Sequence, residues 1–179
     1  LSLRRQRQMC IRDRNKNYPV YLRRKSDLNS TDQILFDCNL LAEGHEYFNL
    51  SNIKISPNNK FAAYSIDTLS RRLYTIRIKN LQTGEVLNDQ IINTSGGFAW
   101  ANDNKTLFYT NRDSDTLRND KILRHEIGTK SKDDKIVFHE KDNTFYTSVS
   151  KSKSNKFIII YVSYTHLRAH ETKRNLVCR

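Results

Sequence analysis

The chain has 179 residues, 37% hydrophobic and 28% charged, with a formal net charge of +12. That length supports one ordinary domain or part of a larger one, with apolar residues enough for a core. No apolar run approaches the roughly 18 residues of a membrane-spanning helix. Five Gly and two Pro exclude a collagen-like or low-complexity chain.

The charge is unevenly placed. Residues 1–14 hold five Arg and one Asp, and residues 162–179 hold three Arg, one Lys and one Glu. So +7 of the +12 lies in the ends, leaving +5 for the 147 residues of 15–161. The ends use eight Arg to one Lys, the middle eight Arg to fourteen Lys. Neither end shows sustained period-2 or period-3.6 patterning. Both ends resemble translated read-through of sequencing adapters, and such scars are set aside from fold reasoning. Residues 1–14 and 162–179 are therefore read as non-native flanks. The start at Leu1, with Met9 the only methionine, fits a segment of a longer protein. An Arg-rich transit peptide is a rival for the first end, and a basic nucleic-acid arm is another. With the ends removed the centre is only mildly basic, so neither nucleic acid nor membrane is expected as a partner.

Cysteine follows the same division. Cys10 and Cys178 fall in the flanks, and Cys38 alone belongs to the middle. One thiol makes no internal disulfide, and no secretory apolar segment precedes the domain, which points to a reducing cytoplasm. The sequons at Asn29, Asn49, Asn93 and Asn104 are then chance matches.

In chain order, "DCNLLAEGH" (Asp37–His45) allows one helical turn. Strands follow at "FAAYSID" (Phe61–Asp67), "LYTIRIKNL" (Leu73–Leu81), "TLFYTN" (Thr106–Asn111) and "KFIIIYV" (Lys156–Val162). Each is short, rich in aromatic and β-branched residues, and bounded by Asn, Asp, Gly, Ser or Pro. In the second, Tyr74, Ile76 and Ile78 alternate with Thr75, Arg77 and Lys79, so the first three form the core face.

A repeat is more informative than any one strand. "IKISPNNKFAAY" (Ile53–Tyr64), "FAWANDNKTLFY" (Phe98–Tyr109) and "SVSKSKSNKFIII" (Ser148–Ile160) each read strand, polar turn ending in Asn-Lys, strand. Lys60, Lys105 and Lys156 are 45 and 51 residues apart. Third strands with a following turn recur at Leu73–Glu85 and Lys121–Asp133, and fourth strands at "VLNDQII" and "KIVFHE". Four short antiparallel strands about every 45 residues mark a β-propeller blade. A β-sandwich shares the strands but not the recurrence. The fold class is therefore all-β, a partial β-propeller. The middle makes about three blades, and a ring typically needs four to eight. Terminal blades of such an arc leave apolar faces uncovered, so the isolated chain is expected to aggregate or fold only in part.

The same residues carry no familiar catalytic pattern. Ser95 in "NTSGGF" lacks the preceding glycine of a G-x-S-x-G elbow, and Ser95-Gly96-Gly97 reads as a turn entering a strand. There is no H-E-x-x-H, C-x-x-C or P-loop. His45, His125 and His139 are widely spaced and read as surface or hydrogen-bonded histidines. Asp113, Asp115 and Asp120 lack the glycine and closing glutamate of a calcium loop and read as a solvated loop. Trp100, Phe108 and Tyr109 sit at strand spacing and read as inter-blade core rather than a base-stacking platform. No residue is assigned a catalytic, cofactor-binding or metal role, and no cofactor is expected.

The stretches "NTSGGFAWANDNKTLFYT" (Asn93–Thr110) and "TLRNDKILRHEIGT" (Thr116–Thr129) resemble the propeller of the prolyl oligopeptidase family of serine peptidases. Further matches run through Tyr18–Lys25, Ile34–Phe48, Ile55–Glu85 and Glu140–Ile160. The resemblance covers nearly all of 15–161 and stops at the flanks. It implies a seven-bladed propeller joined in the parent protein to an α/β-hydrolase domain carrying a Ser, Asp and His triad. It also implies short peptides as substrates, cut after Lys or Arg in one branch of the family. None of the triad maps onto a residue here. The propeller's part would be to admit flexible peptides and exclude folded proteins, with 15–161 supplying the end of blade one, blades two and three and the start of blade four. Two other classes remain: a stand-alone interaction propeller, and a nucleic-acid-binding basic protein whose affinity would reside in the two ends.

Overall fold

Segments rich in Ile, Val, Thr, Tyr and Phe become strands almost throughout the computed structural model, which describes residues 7–11, 17–24, 31–164 and 174–178. The chain divides into two units, Leu1–Phe48 and Asn49–Arg179.

In the first unit, β1 (Arg7–Ile11), β2 (Val20–Arg24) and β3 (Gln33–Asp37) form an antiparallel sheet in that order. The expected helical turn is α1 (Cys38–Leu41). It starts because the Asp37 carboxylate accepts from the Asn39 N–H at 2.9 Å, satisfying a donor the first turn leaves open. The Asn39 side chain then accepts from the Tyr18 N–H at 3.0 Å and donates to the Tyr18 carbonyl at 2.9 Å. Leu35, Phe36, Cys38 and Phe48 are buried, with Tyr18 edge-on to Phe48 at 5.9 Å.

The second unit holds β4 (Asn49–Ile55), β5 (Phe61–Asp67), β6 (Tyr74–Asn80), β7 (Val86–Trp100), β8 (Thr106–Asn111), β9 (Lys121–Glu126) and β10 (Lys135–His139). These seven pair antiparallel in simple sequence order. β11 (Phe145–Lys151), β12 (Ile158–Tyr164) and β13 (Arg174–Cys178) form a further antiparallel sheet. Strands β1 and β13 fall in the two stretches set aside above. Their backbones are extended and paired onto β2 and β12. Most of the remaining flank residues, and Asn29, lie outside the described residues.

The seven-stranded sheet is two blades joined by one strand. The first part of β7 pairs with β6 (Ile76 opposite Ile91, Lys79 opposite Val86), and its last part pairs with β8 (Phe98 opposite Tyr109, Trp100 opposite Leu107). Counted along the chain, the second blade is β4-β5-β6 with residues 86–92. The third is residues 98–100 with β8-β9-β10, and the fourth begins with β11-β12, onto which β13 pairs. Composition predicts a turn at Ser95-Gly96-Gly97; the structure instead runs one fifteen-residue strand through it. The change of sheet is made by two positive φ angles, Asn93 at 54° and Gly96 at 83°. A β-carbon on Gly96 would sit 3.0 Å from the Tyr74 ring, so the bend is also too close for any larger residue.

The Asn-Lys turns are three copies of one device. Asn59, Asn104 and Asn155 have φ of 59°, 62° and 59°, the left-handed region that Asn tolerates. In the first and third, a serine hydroxyl accepts from the N–H that reopens the strand, Ser56 from Phe61 and Ser152 from Phe157. Asp103 does the same for Lys105 and Thr106.

Both faces of the third blade are covered. One cluster joins Ala63, Ile76 and Ile78 of the second blade to Phe98, Trp100, Leu107 and Tyr109 of the third. A second joins Ala99 and Ile122 of the third to Val149, Ile158 and Ile160 of the fourth. Phe98 and Trp100 face one neighbour and Ala99 the other, as a two-residue period requires. Among the described residues, no helix is long and apolar enough to cross a membrane.

The bend at Gly96 yields a test with an internal control. Gly84 has φ 82° with open space around its β-carbon, whereas Gly96 has φ 83° and no room. Gly84→Ala is expected to cost about 1 kcal/mol, the left-handed penalty alone. Gly96→Ala should cost about 2–4 kcal/mol, because overpacking adds to that penalty. Urea midpoints measure both, and equal losses would show that Tyr74 does not close the space.

Candidate functional site

A buried polar cluster lies on the seam between the second and third blades. His125 on β9 faces the second blade, on the opposite face of the strand from Ile122, and is fully buried. Its Nε2 lies 3.0 Å from Asp89 Oδ1, on the outer strand of the second blade, and its Nδ1 lies 2.8 Å from Asp134 Oδ1. A carboxylate oxygen therefore faces each ring nitrogen. Asp134 Oδ2 accepts from the Tyr109 hydroxyl at 2.9 Å, and Asp89 Oδ1 accepts from the Gly128 N–H at 2.6 Å. Burial, with the Asp134 charge beside it, pushes the Tyr109 phenol far above its ordinary range. This is a closed hydrogen-bonded array linking two sheets. Its carboxylates are held by donors and its histidine has no nitrogen left for a substrate.

Innermost strands carry an unpaired edge, and the next blade's side chains satisfy it. Asn52 Nδ2 donates to the Gly96 carbonyl at 2.8 Å, Lys54 Nζ donates to the Phe98 carbonyl, and Trp100 Nε1 donates back to the Lys54 carbonyl at 2.8 Å. The Lys54 ammonium also sits 5.5 Å from the Phe98 ring centre, and burial lowers its pKa from the ordinary lysine value. Adjacent Asn-Lys turns bond as well. The Asn58 N–H donates to Asn104 Oδ1 at 2.7 Å, and Asn102 Nδ2 donates to the Asn155 carbonyl at 2.9 Å. At the other ends of the strands, Arg112 bridges the Arg72 carbonyl and Asn119 Oδ1, while Arg118 gathers the carbonyls of Glu140, Asp142 and Phe145.

Between the turns of the third and fourth blades lies a half-open cleft of about 300 Å³. Asn102, Asp103, Phe108, Arg124, Lys151 and Lys156 are among its lining residues. Burial lowers the Lys151 pKa, and the Asp103 charge opposes that shift.

The residues singled out from sequence are dispersed. Ser95 Oγ accepts from the Gly97 N–H within its own bend, at 3.3 Å. His45 is exposed and stacks on Phe48, in the first unit. His139 Nε2 lies 3.3 Å from Asp120 Oδ2, which Lys121 also approaches. Asp113 accepts from the N–H groups of Asp115 and Thr116, closing its own loop, while Asp120 sits apart with His139. Trp100 and Tyr109 are buried in the seam between the second and third blades, and Phe108 packs on the other side. Among the described residues, no group of three or more His, Cys, Asp or Glu is placed to hold a metal ion. Sequence reading missed Asp89 and Asp134. The available signal was His125 itself, a polar residue on the inward alternation of a buried strand.

Stacked four-stranded blades, edge-capping side chains and recurring turns are what a propeller requires, and comparison with known proteins agrees. A family model described as prolyl oligopeptidase, N-terminal beta-propeller domain, matches residues 9–174. The chain belongs to the prolyl oligopeptidase family, within its N-terminal propeller domain. It is 37% identical over 165 residues to a dipeptidyl aminopeptidase BI of Pseudoxanthomonas mexicana, covering 84% of this chain and 23% of that protein. It is 34% identical over 158 residues to Protease 2 of Moraxella lacunata, again 84% and 23%. Oligopeptidase B from Leishmania major shares the fold with a TM-score of 0.81 at 22% identity, over 97% of this chain and 26% of that one. This propeller segment thus spans about a quarter of the length of the relatives it matches. The family and all-β fold expected from sequence are confirmed.

Asp89 serves two donors from the third blade. Asp89→Ala should therefore leave His125 Nε2 and the Gly128 N–H buried without acceptors and cost about 3–5 kcal/mol. Asp115→Ala, in an exposed loop, should fall within about 0.5 kcal/mol of the parent. Chemical denaturation of the three proteins compares them, and a small loss for Asp89→Ala would remove the array from the forces holding the seam.

Proposed function

We propose that this chain is part of the gating propeller of a serine-type oligopeptidase that hydrolyses short peptides after Lys or Arg in the cytoplasm. Bond cleavage is assigned to an α/β-hydrolase domain joined to the propeller in the same protein, and the 179 residues here are inactive alone. The observation that carries this reading is the match itself. It falls within a propeller domain and spans about a quarter of peptidases such as Protease 2. The site chemistry agrees, since the buried histidine of the second unit is committed to Asp89 and Asp134. The propeller's role is selection by size: a packed ring in front of a nucleophile admits a flexible peptide and turns away a folded protein. We further assign residues 15–161 to the native propeller and 1–14 and 162–179 to non-native flanks. The Arg-for-Lys shift supports this, and genomic sequence running through both ends decides it.

The 37% identity to a dipeptidyl aminopeptidase favours a second reading of specificity, release of dipeptides from a free N-terminus. A stand-alone interaction propeller is the third. Purified chain is expected to leave an Arg-containing reporter peptide intact. The protein encoded by the whole gene is expected to cleave it and to lose that activity to a serine-reactive inhibitor. Cleavage of free but not N-blocked peptides would favour the dipeptidyl reading. A whole gene lacking any downstream G-x-S-x-G would favour the interaction module, and hydrolysis by the chain alone would overturn the assignment.

A further inference from the structure

The two seams of the second unit are closed by different chemistry. Between the second and third blades, Asp89, His125 and Asp134 are all buried, with side-chain exposures of 4%, 0% and 2%. Parting that seam separates Asp89 from His125 and from the Gly128 N–H, breaking two hydrogen bonds of buried groups. The turns of the same two blades are tied by Asn58 and Asn104, and their inner strands by Asn52, Lys54 and Trp100.

The seam between the third and fourth blades is aliphatic at its centre, where Ala99 and Ile122 meet Val149, Ile158 and Ile160. Most of its polar links lie at one end. There the Asn119 carbonyl accepts from the Thr147 N–H at 2.7 Å, and Arg118 grips the Phe145 carbonyl. At the opposite end the two turns flank the cleft of about 300 Å³. The exposed bond from Asn102 to the Asn155 carbonyl crosses that end. Thr110 Oγ1 on this side of the third blade is buried without a hydrogen-bond partner, a cost that parting the blades relieves.

We propose that the second and third blades move as one plate, and that the joint between the third and fourth blades is the compliant one, pivoting at Arg118 and Thr147 and widening at the cleft. The inference stands on the two seams and is independent of which peptide bond the enzyme cuts.

Thiol labelling reads each seam directly. Val149→Cys probes the compliant joint and Ile91→Cys the bolted one, in the full chain encoded by its gene, with labels located by mass spectrometry. Under conditions that leave the circular dichroism unchanged, the thiol introduced by Val149→Cys should react at least about tenfold faster than that introduced by Ile91→Cys. Adding His125→Gln should raise the labelling rate of the Ile91→Cys protein about tenfold and leave that of the Val149→Cys protein unchanged. If His125→Gln fails to fold, the comparison in the unmodified background decides alone. Equal rates, or faster labelling of the Ile91→Cys protein, would overturn the proposal.

Discussion

A strand that reads Phe98-Ala99-Trp100 gives neither of its faces to water, and a sheet built from such strands is stable only between two others. That constraint organises the second unit. In β5, Ala62, Ala63, Tyr64 and Ser65 are all buried in succession, so the strand lacks the polar face of an ordinary surface sheet. Small residues on one face let a neighbouring blade approach where large ones on the other fill the gap. Each large side chain covered this way contributes about 1.5–3 kcal/mol, and much of that covering comes from a different sheet. Stability is thus a property of seams rather than of blades.

Stacking sheets around an axis leaves the innermost strand of each with an open edge, the usual invitation to aggregation. Here Asn52, Lys54 and Trp100 turn polar atoms onto neighbouring edge carbonyls, so buried backbone acceptors find donors without another strand. The His125 array does the same work deeper in the seam. The charges it buries are tolerable only because each meets a partner from the other blade or from the loop beside it.

Sequence disclosed this architecture unevenly. The Asn-Lys turns were legible because left-handed backbone restricts residue choice, and the same three asparagines take that conformation. The inward positions of β6 were legible from strict alternation, and Ile76 and Ile78 are fully buried. The continuity of β7 was not. Ser95-Gly96-Gly97 has the composition of a turn, and only the register on both sides shows a strand changing sheets. Nor was the His125 array legible. Asp89 lies 36 residues before the histidine, and a search for histidines near one another does not look for carboxylates on the next blade. Family membership came from resemblance and comparison, because the side chains described in the propeller segment are engaged in its own hydrogen-bonded structure.

Trp100 is the only tryptophan of the chain, 3% exposed, and placed on the seam between the second and third blades. Its fluorescence during urea unfolding, followed beside far-ultraviolet circular dichroism, therefore asks whether seams hold the sheets together. In whatever fraction of the chain folds, a blue-shifted, quencher-resistant emission is expected, lost in the same transition as the β signal. A water-exposed emission while the β signal persists would mean that the blades stand without one another, and would contradict a fold held by its seams.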